Sequence, residues 1–217
     1  MEIDHLFICT SKGAPEAKHL VDFGLTEGLP NTHPGQGTAC RRFYFHNLML
    51  ELLWLEDEEE SSSPLTAPTQ LFHRAGLRDP GTSPFGVCFR PSPTETAVSF
   101  PSWQYRPRYL PAHLSVEIAK DMPYVEPLWF YLGFSHRPDQ AATPPNMQHA
   151  CGFKEVTQVR ITTESDDAFS STAQTVMGEN LLKLDRGDTA LLELFFDEGK
   201  AGKEMDFRPH LPLVFHW

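Results

Sequence analysis

Two stretches of this chain carry a glutamate inside an otherwise unbroken apolar strand, Met49-Leu50-Glu51-Leu52-Leu53-Trp54 and Leu191-Leu192-Glu193-Leu194-Phe195-Phe196. An ionised carboxylate is costly to remove from water unless a cation, a proton or several hydrogen bonds compensate it. Each position therefore asks for a structural ion pair, a metal ion or acid/base chemistry. Both strands then run into acid, Glu56-Asp57-Glu58 in the first and Asp197-Glu198 in the second. Likeness across more than half of the chain predicts an internally duplicated unit, and two copies of one unit predict one shared site.

The elements around those strands repeat in order. Ile3 to Cys9 is a short apolar run and Ala14 to Phe23 has helical spacing; after the breaker-rich loop Leu29 to Gly37 come two strands, Ala39 to Phe45 and Leu48 to Leu55. Farther on, Val156 to Thr163 alternates as a strand, and Ser165 to Met177 reads as a helix with Asp166 and Asp167 near its start. Leu181 to Asp185 and Thr189 to Phe196 then form a hairpin around Arg186-Gly187-Asp188. Between the units, Glu56 to Pro68 is acidic and rich in Ser and Pro, Thr69 to Leu77 is a short helix, and Phe85 to Arg90 and His113 to Ala119 are strands. Glu126 to Phe134 is apolar, and Ser135 to His149 is a Pro-rich connector. The chain thus divides into a first unit at 1–60, a linker with inserted strands and a Pro-rich aromatic loop at 61–150, and a second unit with its tail at 151–217.

Charge narrows the partners. Asp and Glu number 29 against 18 Lys and Arg, a net charge of −11, which disfavours nucleic acid because phosphate binding needs clustered positive charge. No apolar stretch is long enough to span a bilayer, and MEIDHLFICT enters a strand pattern with no basic leader, so the expectation is a cytoplasmic protein without membrane partners. Cys9, Cys40, Cys88 and Cys151 form no CxxC pair and read as reduced structural residues. The nucleophile elbow, HExxH and kinase signatures are absent, leaving hydrolase and phosphoryl-transfer readings without their marks.

His5 stands mid-strand in Ile3-Asp4-His5-Leu6-Phe7. A strand histidine by itself more often bonds a carboxylate or backbone group than a metal, but Glu51 on the last strand of the same unit changes that balance. The stretches IDHLFICT and MLELLWLED resemble the glyoxalase-like family of the vicinal oxygen chelate superfamily. HPGQGTACRRFYF, YRPRYLP and FRPHLPLVF add to the likeness with uncharacterised bacterial members. The resemblance implies an α+β fold in which two βαβββ modules form a curved mixed sheet around a cleft, here with a middle insertion. It implies metal ligands at His5, Glu51 and Glu193, with Gln158 where a second histidine would stand, and His113 or Glu117 as alternatives. The cofactor would be a divalent cation, zinc, nickel, manganese, iron or magnesium, polarising vicinal substrate oxygens while Glu51 or Glu193 moves a proton. That is lyase or isomerase chemistry on a small molecule, with a homodimer among the arrangements left open. The alternative is a metal-free member that binds or sequesters its ligand.

Two further groups are candidates for substrate contact. Alternation sends Arg41 and Arg42 to opposite faces, so Arg42, sharing its face with Tyr44, either holds a substrate carboxylate or pairs with an acid. Trp103, Tyr105, Arg106 and Tyr109, crowded between prolines, form either a lid over the cleft or a cover for a sheet edge.

Overall fold

The computed structural model describes residues 1–77 and 81–217; residues 78–80 of the expected linker lie outside the described residues. The chain forms two sheets. The first contains β1 (Glu2–Cys9), β2 (Asn31–His33), β3 (Thr38–Tyr44), β4 (Met49–Leu55), β5 (Phe85–Arg90), β6 (Ser102–Tyr105), β7 (Val116–Ala119) and β8 (Leu128–Tyr131). Their order is β2-β3-β4-β1-β5-β8-β7-β6 in a curled mixed sheet. Helix α1 (Ala17–Phe23) follows β1 and ends at Gly24, whose φ of 114° suits a residue without a side chain. The short α2 (Glu58–Ser61) follows β4, with the Asp57 side chain accepting from the Glu60 N–H at its N-terminus.

Pairing, rather than strand count, locates the duplication. β1 runs parallel to β4, β5 runs parallel to β8, and β1 meets β5 antiparallel at the centre. Read outward from that centre, each half places its first strand, last strand, third strand and second strand in the same order. The second copy therefore lies at β5–β8, within the stretch expected as an insertion. No helix separates β5 from β6, which removed the strand-then-helix signal from the sequence.

The C-terminal part builds a separate sheet from β9 (Val156–Thr163), β10 (Lys183–Arg186), β11 (Leu191–Phe196), β12 (Glu204–Asp206) and β13 (Leu213–His216), in the order β10-β9-β11-β13-β12. Here the first strand β9 pairs antiparallel with β11, so this unit lacks the first-to-last parallel pairing of the other two. The expected hairpin around Arg186-Gly187-Asp188 does not form, because β9 lies between β10 and β11. Helix α3 (Ser171–Gly178) starts later than expected: the Ser170 side chain, not Asp166 or Asp167, accepts from the Ala173 N–H and sets its N-terminus.

Aromatic packing and one buried carboxylate join the sheets. Phe153 stacks on Phe196 at 3.9 Å between ring centres, and Phe23 of α1 meets Phe153, Phe207, Phe215 and Trp217 at 5.7 to 6.0 Å. Such edge and offset contacts add to the burial of the rings themselves. Glu126, 2% exposed, accepts from the Ser170 N–H and the Ser170 hydroxyl, both at 2.6 Å, and from the Trp129 indole N–H at 3.2 Å. One carboxylate thus ties the start of β8 to the start of α3.

The connector after β8 is held as well. His149 Nδ1 accepts from the Thr26 N–H at 3.0 Å and its Nε2–H donates to the Tyr44 carbonyl at 3.0 Å, an arrangement that requires the neutral ring. Burial lowers its pKa, as it does that of His33. The unfolded chain accordingly takes up these protons more readily. Their contribution to stability is complete above the ordinary histidine value of about 6.5 and is lost as pH falls through the folded values. Below pH 6.5, down to pH 5, these two groups are expected to pull the melting temperature down, and His149→Gln should flatten the dependence there. An unchanged slope in the variant would assign the acid sensitivity elsewhere.

Candidate functional site

A cavity of about 170 Å³ lies against the eight-stranded sheet, lined from both halves. Strand alternation decides which side chains reach it. β1 supplies His5 and Phe7, β4 supplies Glu51 and Leu53, β7 supplies Val116 and Ile118, and β8 supplies Leu128 and Phe130. Tyr105 closes it from the end of β6, and Leu110, Leu132 and Phe134 add apolar wall. On the central strand, Gly86 lies opposite Phe7, and a Cβ there would come within 2.1 Å of the Phe7 ring, so glycine makes room for that wall. The polar groups are His5, Glu51, His33, Gln36, Thr69, Tyr105 and Tyr109.

A bulge makes His5 unusual. The register between β1 and β5 shifts between Ile3 and His5, leaving Asp4 as the extra residue, and neighbouring side chains that would otherwise point apart can meet. His5 Nδ1–H donates to Asp4 Oδ1 at 2.6 Å. The other Asp4 oxygen accepts from the Ser135 hydroxyl and lies 3.8 Å from Arg90 Nη1, so the carboxylate is fixed from both sides. The ring is held further by Phe130, edge-on at 5.3 Å. His5 Nε2 then stands 4.0 Å from Glu51 Oε2. Burial alone would lower the His5 pKa, but Cys88, Glu51 and Asp4 carry it well above the usual histidine value. Cys40, buried and hydrogen-bonded to Glu51, and Cys88, buried beside His5, are both pushed up, Cys88 to about 12, and are poor nucleophiles.

The remaining polar groups are largely committed to one another. His33 Nε2 accepts from Asn31 Nδ2 at 3.0 Å while its Nδ1–H donates to Thr38 Oγ1 at 2.9 Å. Gln36 donates to the same Thr38 hydroxyl at 2.8 Å and accepts from Tyr109 at 3.4 Å. Tyr109 belongs to the expected lid, whereas His33 and Gln36 were not singled out as site residues from sequence. They come from the end of the short β2 and the turn after it, brought against β1 and β4 by the fold, and polar residues in such a segment carry no local mark of burial.

The expected ligand set does not assemble as a cage. His5 and Glu51 face one another in the cavity, whereas Glu193 and Gln158 belong to the five-stranded sheet and do not line it. Glu193 alternates outward with Leu191 and Phe195, accepting from His216 Nε2 at 2.9 Å and lying 3.5 Å from Arg160 Nη1. Its apolar sequence neighbours hid that alternation, since both faces of β11 carry large hydrophobic side chains. Gln158 lines an outer groove, His113 is exposed, and Glu117 accepts from Ser102 at 2.7 Å on the face away from Val116 and Ile118. Zinc sites use at least three protein ligands at roughly 2.0–2.2 Å for His or carboxylate, and this cavity offers two uncommitted donors.

Other groups of possible ligands are also committed. Asp4, His5 and Cys88 cluster together, but Asp4 is bound by Ser135 and neither it nor Cys88 lines the cavity. At the surface, Asp139 and Glu155 beside His46 both pair with Arg137. Purified protein titrated with zinc is therefore expected to bind it weakly, with affinity lost on dialysis and an unchanged melting temperature after chelation. A stoichiometric ion surviving dialysis would overturn this expectation.

The substrate-contact candidates separate in the same way. Tyr105 lines the cavity, but Trp103 packs edge-on against Tyr105 at 6.1 Å without lining it, and Arg106 donates outward to Gln104 at 2.8 Å. Arg42 shares the Glu51 face of the sheet but is not among the lining residues: it donates to the Leu29 carbonyl at 2.8 Å and stacks over Tyr44 at 5.5 Å.

No family model matches the chain, and no curated protein matches it significantly. Among solved structures, the crystal structure of a hypothetical protein from Staphylococcus aureus is similar to it at 10% sequence identity and a TM-score of 0.49, covering 99% of this chain and 98% of that one. Among the described residues no helix is long and apolar enough to cross a membrane.

Proposed function

We propose that this chain is a small-molecule enzyme of the isomerase or lyase type, working by proton transfer next to a carbonyl group, as the glyoxalase-like resemblance implies. The observation that carries this reading is the Asp4-anchored His5 presenting Nε2 at 4.0 Å from Glu51 inside a cavity with apolar walls. Glu51 takes a proton from the carbon beside the substrate carbonyl, and the C–H electrons move onto the carbonyl oxygen. His5 Nε2–H stabilises that oxygen, with Asp4 holding the ring in the required orientation. Where that carbon bears a hydroxyl, His5 gives its Nε2 proton to the first oxygen and takes the hydroxyl proton from the second, and return of the carbon-bound proton from Glu51 to the former carbonyl carbon completes an isomerisation. The apolar surroundings strengthen each of these electrostatic contacts.

The test is deuterium exchange. Small uncharged hydroxyketones and aryl ketones, incubated with the protein in deuterated buffer, should lose the NMR signal of the proton next to the carbonyl faster than in buffer alone. Binding without exchange across the panel would replace this reading by the alternative of a sequestering protein, which the apolar walls also support.

A further inference from the structure

His5 and Glu51 turn polar atoms of opposite character toward the cavity. His5 holds its Nδ1–H on Asp4 at 2.6 Å and faces Glu51 with Nε2 at 4.0 Å, so a carboxylate stands at each nitrogen and the ring carries both protons. Nε2–H is therefore a donor. Glu51 is an acceptor, and among the described residues its carboxylate takes a hydrogen bond from the Cys40 thiol alone, since Nε2 at 4.0 Å is too distant for one. Neither the Glu51 oxygens nor His5 Nε2 is among the buried polar atoms sealed off without a partner, so both open on the cavity space.

Their separation selects the ligand's polar group. Hydrogen bonds of about 2.9 Å from two atoms 4.0 Å apart, splayed slightly inward, meet an acceptor and a donor on a much narrower base. In a small-ring amide, where N–H and C=O lie on the same side, N and O stand about 2.3 Å apart by standard bond lengths. A plain ketone gives His5 its acceptor but sets carbon against Glu51 once water is displaced, which leaves the carboxylate without a donor. Volume limits the rest of the molecule. At about 170 Å³ the cavity is close to one of about 150 Å³ that holds a single benzene, and Phe7, Ile118, Leu128 and Phe130 give it apolar walls.

We infer that this cavity binds cyclic amides of a single ring, the ring C=O accepting from His5 Nε2–H and the ring N–H donating to Glu51. This rests on the reading above, in which the same two residues address a carbonyl oxygen and the C–H beside it. The amide N–H stands where that C–H would stand, so the amide should compete with a reacting ketone.

The test is calorimetric titration of the full chain with δ-valerolactam, its N-methyl derivative, cyclohexanone and dihydrocarbostyril, a lactam fused to a benzene ring. δ-Valerolactam should bind, and the N-methyl derivative and cyclohexanone at least about tenfold more weakly, because each buries Glu51 without a donor. Dihydrocarbostyril should not bind measurably. Glu51→Met, which keeps the length of the side chain and removes the acceptor, should abolish the preference for δ-valerolactam over its N-methyl derivative. If that variant does not fold, the wild-type ratio decides. No binding of δ-valerolactam, or equal affinity for any of the other three, would overturn the inference. So would a folded Glu51→Met protein that kept the preference. δ-Valerolactam bound without deuterium exchange of any ketone would count against the proposed reaction alone. Ketone exchange that δ-valerolactam does not inhibit would count against the ligand class alone.

Discussion

Glu51→Gln is expected to lower deuterium exchange by about 10²- to 10⁴-fold while changing ligand affinity only a few-fold. The substitution keeps the shape of a side chain that is 6% exposed and removes its ability to accept a proton. Glu51 is also one of the groups that raise the His5 pKa, so the variant should lower it, which proton-detected NMR of the imidazole can follow. Asp4→Asn should act differently. It leaves the base in place and loosens the ring, so exchange should fall less than in Glu51→Gln. If Glu51→Gln exchanged at the wild-type rate while Asp4→Asn lost activity, the base would have to be His5 itself and the assigned roles would be reversed.

Loss of Glu126 should have the largest effect on stability. Glu126→Ala would strand the Ser170 N–H and hydroxyl and the Trp129 N–H in a region where Glu126 itself is 2% exposed. Each buried polar group left without a partner costs about 1–3 kcal/mol, and partial relaxation brings the expected total to about 3 kcal/mol. For a chain of this length that corresponds to a melting temperature lower by roughly 6–12 °C. Buried Arg74 donates to the Glu126 backbone carbonyl at 2.6 Å, a bond the substitution leaves in place, so the loss should come through α3 and β8 rather than through the Arg74 clamp. Combining Glu126→Ala with Ser170→Ala should be less damaging than the sum of the two, because they remove the same contact. Additive losses, or a fall below about 1 kcal/mol for Glu126→Ala alone, would mean that the two sheets are held by the aromatic cluster without this link.

What the chain's sequence determined by itself was local: β1, α1, β3 and β4 stand close to their expected positions, because apolar spacing, Gly24 and the breaker-rich loop act over a few residues. It also made His5 and Glu51 legible as a pair, since both lie in strongly apolar strands of one unit and alternation directs both inward. Which strands form the second half was decided only by the tertiary structure. Glu193 matched Glu51 in its sequence neighbours, yet β11 pairs antiparallel with β9 and turns Glu193 toward Arg160 and His216. The true counterpart, β5–β8, carries Leu128 and Phe130 where a repeat of the acidic motif would have been recognisable. Glu126 was hidden for a related reason. A carboxylate at the start of a strand looks solvated until Ser170, 44 residues later, is folded against it. Strand identity follows from short-range patterns, but partner, register and burial depend on contacts between distant segments, which no local pattern encodes.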